Sequence, residues 1–223
     1  MENLPTFISI VFGLTAILTV LLFYKASNYS RFVLYLLCGW LLLHGAISLS
    51  GFYSVTNGMP PRLILAVVPM FVGIILLFIT AKGREFIDAL DVKTLTMLHV
   101  VRVPVEIVLF WLFMEGAVPE LMTFEGRNFD ILSGITAPLV WYFGFVKNKL
   151  SPKIILIWNF ICIGLLLNIV INAILSAPFP MQQLAFDQPN IAVLYFPFVW
   201  LPGCVVPLVL LSHLAVIRKL IRN

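Results

Sequence analysis

Between Met97 and Glu106 the chain reads Met-Leu-His-Val-Val-Arg-Val-Pro-Val-Glu, which sets three ionisable side chains, His99, Arg102 and Glu106, among apolar neighbours. At about 100° per residue, the spacing i, i+3, i+7 puts all three on one face of a helix. Arg102 and Glu106, four residues apart, can pair as guanidinium and carboxylate, and Pro104 in the same turn favours a kink. In this pattern Glu106 would accept a proton, and Arg102 would be its counter-charge or an anion ligand. The plain alternative is a pair that only locks helix packing. Two further histidines, His44 and His213, raise the question of a three-histidine zinc site. The three cysteines, Cys38, Cys162 and Cys204, lie singly in apolar runs, so they form neither a disulfide framework nor a CxxC metal motif and read as packed thiols.

A second polar segment runs from Pro119 to Asp130 (Pro-Glu-Leu-Met-Thr-Phe-Glu-Gly-Arg-Asn-Phe-Asp). Asn128 or Asp130 could cap the helix that follows, and Gly126 permits a tight turn. On the functional reading, Glu125, Arg127, Asn128 and Asp130 form the external mouth of the polar site. Further on, Pro197, Pro202 and Pro207 recur every five residues with Gly203 between them. Each proline removes a backbone donor, and broken spans of this kind line transporter sites. A static kink is the alternative.

The elements that must hold these groups are set by composition. Of 223 residues, 61% are apolar or aromatic, while 14 Lys plus Arg and 10 Asp plus Glu carry charge. Soluble domains run at about 45–50% apolar and about 25% charged, so the chain belongs in a bilayer. A spanning helix needs about 20 apolar residues. Seven stretches qualify, at 5–24, 32–54, 63–80, 94–117, 129–146, 153–176 and 191–217, each gap carrying charge or turn residues. The expected fold is therefore all-α, a polytopic bundle of seven transmembrane helices forming a single domain over residues 1–223. No Lys or Arg precedes the first apolar run, so that run reads as a retained helix and not a signal peptide.

Positively charged loops stay cytoplasmic. Lys25, Arg31, Lys82, Arg84, Lys93, Lys147, Lys149, Lys153, Arg218, Lys219 and Arg222 fall on one side, and only Arg62 and Arg127 on the other. That eleven-to-two division places the amino terminus outside and the carboxyl terminus in the cytoplasm, and it supports an odd number of spans. The segment Gly83–Asp91 mixes charged and apolar residues at helical spacing, so it either lies along the cytoplasmic interface or extends a helix into solvent. The net charge of +4 sits where anionic headgroups want it and gives no reason to expect nucleic acid.

Depth then recruits partners. At about 1.5 Å per residue, Glu106 lies about 20 Å from Lys93, His44 about 18 Å from Phe32 and Asn168 about 22 Å from Lys153, so the three could share a layer. Asn172, four residues after Asn168, extends a polar stripe outward, although both amides could equally bridge helices. His99 and His213 lie low, with His44 about 9 Å higher. That separation argues against one ion binding all three histidines, and neither a metal nor another cofactor is expected.

The segments Arg102–Glu106, Met122–Asp130 and Trp200-Leu201-Pro202 resemble an uncharacterised family of bacterial multi-span, seven-helix inner-membrane proteins. The resemblance implies the bacterial cytoplasmic membrane and transfers no activity. Seven spans with an external amino terminus are also similar to rhodopsins and seven-helix receptors, but no lysine lies within the last span for a retinal Schiff base. The paired-histidine motif of seven-span metal hydrolases is absent around His213. The leading expectation is a protein that binds or moves a small solute or protons through the site on His99, Arg102, Glu106, His44, Asn168 and Asn172. Its expected partners are membrane lipids and a small-molecule ligand. The alternatives are an intramembrane enzyme using His44 or His99 with Glu106 on a lipid-like substrate, and a structural subunit of a membrane complex.

Overall fold

Each apolar run becomes a helix that stops where the sequence supplies a turn. The structure, a computed structural model describing residues 4–222, is all-helical among the described residues. The first two helices are α1 (Thr6–Ala26) and α2 (Arg31–Leu49), followed by α3 (Ile64–Ile79), α4 (Ala81–Ala89) and α5 (Val92–Leu98). Then come α6 (Arg102–Met114), α7 (Ile131–Trp141), α8 (Pro152–Ser176) and α9 (Val206–Arg222). Among the described residues, five helical stretches are long and apolar enough to cross a membrane: α1, α2, α5 with α6 (Val92–Met114), α8, and Leu201–Arg222. The bent pair α3–α4 makes a sixth when counted as one span. The expected span 129–146 is a shorter helix, Ile131–Val146, whose last turn, Tyr142–Val146, is π-helical.

Residues such as Leu14, Leu42, Ile75 and Ile157 stand exposed on the outer faces of α1, α2, α3 and α8. A continuous apolar exterior of this kind is what lipid chains cover and water does not tolerate; the architecture is that of a membrane protein.

Two expected spans end differently. The stretch 32–54 is helical only to Leu49, because Gly51, at φ 74°, turns the chain into a single 3-10 turn at Phe52–Ser54. The stretch 191–217 becomes helical only at Leu201. Before it, residues 191–199 form a segment without α-helix that holds one 3-10 turn, Ala192–Leu194. The prolines therefore do not break the middle of a long helix. Pro202 stands in the first turn, where a missing N–H costs nothing, and Pro207 follows the π-helical turn Leu201–Val205. Pro207 has no N–H for the carbonyl four residues back, that of Gly203, and the indole Nε1 of Trp40 donates to that carbonyl at 2.8 Å. A freed carbonyl in the bilayer needs such a donor.

The span α5–α6 is the centre of the bundle, packed against α1, α7 and α9, and α8 packs chiefly against α9. Its break is the 3-10 turn His99–Val101. The ring of Pro104 clashes with the carbonyl four residues earlier, that of Val100, and so disfavours a regular α-helical turn there. Between α3 and α4 the axis bends by 94°. Gly83 makes the corner fit, since a Cβ there would lie 2.5 Å from the Leu77 backbone, and Thr80 caps α4 by accepting from the Gly83 amide. α4 carries Asp88 to Arg218 and Arg222 at the end of α9. The same end of the bundle is tied by Asn28 to the Ala89 carbonyl, by the Asp91 amide to the Ala26 carbonyl, and by Lys219 to the Leu90 carbonyl.

Candidate functional site

Arg102, the first residue of α6, is fully enclosed, and its partner is not Glu106. Its Nε lies 2.8 Å from Oδ2 of Asp130, the residue before α7, with both side chains almost wholly buried. The expected Arg102–Glu106 pair does not form, because α7 delivers a carboxylate to the guanidinium directly. Gly134 permits this delivery. A Cβ at Gly134 would stand 2.8 Å from Val103 Cγ2, 2.9 Å from the Val103 nitrogen and 3.2 Å from Arg102 Cβ, so α7 approaches α6 closely at that level. Asp130, one turn earlier, is carried to Arg102. The Nε–H does not point along the contact, so charge and not a formed hydrogen bond holds that side of the pair.

The other guanidinium nitrogens reach two further helices. Nη2 donates to the Cys162 carbonyl on α8 at 3.3 Å, and Nη1 lies 3.3 Å from Nε2 of His213 on α9. A guanidinium only donates, so His213 Nε2 is the unprotonated nitrogen and Nδ1 carries the proton. Nδ1 in turn lies 2.8 Å from Oδ1 of Asn159, whose amide donates to the Ile155 carbonyl. The polar chain therefore runs from Asp130 through Arg102, His213 and Asn159 to the α8 backbone. His99 stacks on His213 with ring centroids 3.7 Å apart and planes 13° apart, and Trp158 meets its edge. Both ring nitrogens of His99 are buried without a hydrogen-bond partner among the described residues.

Glu106, one turn above Arg102, is 1% exposed and is held by Asn128 alone among the described side chains. The Asn128 amide nitrogen lies 2.7 and 2.6 Å from the two carboxylate oxygens and 3.0 Å from the Met122 carbonyl. Asn128 Oδ1 accepts from the Asp130 amide, so one side chain ties both carboxylates to the loop. Asp130 itself makes no side-chain cap to α7. The loop folds this tightly because Gly126 lies against Glu120, where a Cβ would come within 2.3 Å of the carbonyl oxygen.

The other expected site residues are placed elsewhere. His44 is engaged with other partners than Glu106. Its Nδ1 bonds the Tyr53 hydroxyl at 2.5 Å and its ring lies 4.1 Å from that of Trp40, so it belongs to a separate polar pair beside α2. Asn168 donates to the Arg127 carbonyl, and Asn172 donates back to Asn168, which makes the amide stripe a brace for the loop. Of the expected mouth, Asn128 and Asp130 are buried within the site, while Glu125 and Arg127 are exposed. Cys162 and Cys204 are buried, Cys38 is half-buried, and all three are free.

Asn159 was not expected, and His213 was weighed only as a metal ligand. Helix depth could have found both. Asn159 stands six residues from Lys153 and His213 five from Arg218, each about 8–9 Å in, the level of His99.

Beside the polar chain lies a cleft of about 280 Å³. Its walls are α3 (Val67, Phe71) and α8 (Leu166, Val170), and its floor includes Leu109 of α6. Its polar lining, among the described residues, is Glu106, Asp130 and Asn190. Ile64, Val68 and Ile174 line the cleft and also form part of the exposed apolar surface, so it opens sideways between α3 and α8.

Neither the comparison with curated proteins nor that with solved structures gave a match. A family model described as a domain of unknown function, DUF8737, covers residues 59–221, which takes in every helix of the polar chain and both walls of the cleft. The chain belongs to the DUF8737 family.

Proposed function

We propose that this protein is a seven-span protein of a bacterial cytoplasmic membrane that binds or translocates a small solute or protons at the Arg102–Asp130–Glu106 site. The amino terminus would be external and the carboxyl terminus cytoplasmic, following the eleven-to-two distribution of basic residues. One observation carries the functional reading: two buried carboxylates, Glu106 held by Asn128 and Asp130 paired to the buried guanidinium of Arg102, line a laterally open cleft. A pair serving packing alone would be balanced and sealed. Ionisable groups held at this depth next to a cavity are what proton and solute pathways use.

The enzyme reading draws on the apolar walls of the same cleft, which suit a lipid-like chain. It is weaker because His44 is engaged with Tyr53 and His213 with Arg102 and Asn159, away from the cleft lining.

The test is complementation of a deletion strain across a panel of growth stresses, with the amount of folded protein measured in parallel. Glu106→Gln keeps size and acceptor geometry, so it is expected to fold and to fail to complement. Full complementation by Glu106→Gln, together with full complementation by Arg102→Lys, would overturn the proposal.

A further inference from the structure

The cleft constrains what it binds, an inference that rests on the ligand-binding reading above and names the ligand class. Its walls are aliphatic and aromatic and its mouth opens onto the lipid-facing surface between α3 and α8. Its polar end presents oxygen acceptors. Among the described residues Glu106 has only the Asn128 amide as donor, and Oδ1 of Asp130 is buried with no hydrogen-bond partner. Asn190 Oδ1, further along the cleft beside Ser176, is likewise buried and unpartnered. Buried acceptors without donors are costly and rare, so a ligand that completes them carries N–H or O–H groups and no anionic head. Charge decides between these donors. With both carboxylates ionised, the one guanidinium, paired to Asp130, leaves a place for one positive charge. An ammonium brings that charge together with three N–H donors.

We propose that the cleft binds a single-chain amphiphile with a protonated amine head, entering from the bilayer. The alkyl chain lies between α3 and α8, and the ammonium sits at Glu106 and Asp130 Oδ1.

The test uses the full chain in nanodiscs of zwitterionic lipid, with a long-chain primary alkylamine bearing a diazirine in its chain as the photoprobe. Labelling of α3 and α8 peptides is read by mass spectrometry, with dodecylamine, dodecanol and dodecanoate as competitors. Labelling on both helices is expected, displaced by dodecylamine and at least about tenfold less by the other two, a difference of about 1.4 kcal/mol. Glu106→Gln and, separately, Val170→Trp, which fills the cleft from α8, should each abolish the displaceable labelling in protein that retains its wild-type elution profile. Equal displacement by dodecanol would overturn the ammonium assignment, and labelling indifferent to both variants would overturn the cleft as the site. Either result, combined with loss of complementation by Glu106→Gln, would leave the broader ligand- or proton-binding reading in place. Full complementation by both Glu106→Gln and Arg102→Lys would remove both.

Discussion

At the scale of single residues, Arg102 is the node. It holds Asp130 by charge, the Cys162 carbonyl by a hydrogen bond, and His213 in one tautomer. Removing one partner of a buried pair leaves an uncompensated charge, at about 3–5 kcal/mol, whereas removing both often costs little. Arg102→Ala is therefore expected to lose about 3–5 kcal/mol of stability in detergent unfolding, and Arg102→Ala with Asp130→Asn much less. If the two single changes simply add, the coupling is absent and the pair is not structural. The pair was half legible in the sequence. An arginine four residues before a glutamate invites pairing along one helix, and all three residues of the face proved buried. That a carboxylate from the next helix outcompetes Glu106 depends on the close approach at Gly134 and on a loop that turns Asp130 inward, neither of which helical spacing encodes.

At the scale of elements, the meeting of α6 and α7 depends on an absent methyl. Gly134→Ala puts a Cβ within 3 Å of Val103, so α7 must shift away from Arg102, at about 1–3 kcal/mol for overpacking. Gly164 on α8 has nothing within 4 Å of its missing Cβ, so Gly164→Ala is expected to be neutral or slightly stabilising through helix propensity, by up to about 1 kcal/mol. Thermal unfolding of the two variants side by side separates a packing requirement from a propensity effect, and equal midpoints would remove the role given to Gly134. The apolar runs located the helices to within a few residues, because in a bilayer length and hydropathy leave few options. They misplaced the end of α2 and the start of the last helix. Apolarity continues through Phe52–Ser54 after α2 has ended, and through residues 191–199 before the last helix begins. A proline states only that a donor is missing. Whether it starts a helix or bends one depends on what satisfies the freed carbonyl, and the donor to Gly203, Trp40, is 163 residues away.

At the scale of the molecule, the two ends of the bundle differ in charge, and that difference makes two predictions. At the basic end, Asp88 receives hydrogen bonds from Arg218, and Arg222 adds a second cation. The hydrogen bond from Arg218 is the first cause that holds its carboxyl below the ordinary 3.8. A depressed folded value means that the contribution is present above 3.8 and is lost as pH falls through the lower, folded value. Asp88→Asn should therefore lower the thermal midpoint at neutral pH and converge with wild type well below pH 4, and high salt should shrink the difference because the site is exposed; a gap that persists in acid would assign the effect to something other than this carboxylate. The second prediction concerns α7. At 16 residues, Ile131–Val146 rises about 24 Å at 1.5 Å per residue, short of the roughly 30 Å of a hydrocarbon core. For α7 to cross as proposed, the bilayer must thin there or the polar ends must reach to the interface. Glu125 before α7 and Lys149 after it are both exposed. With a membrane-impermeant maleimide on spheroplasts, Glu125→Cys is expected to label from outside and Lys149→Cys only after permeabilisation. The reverse pattern would invert the orientation read from the basic residues. Labelling of both from one side would mean that α7 does not cross, which would leave six spans and put Asp130 at a re-entrant turn instead of at the head of a crossing helix.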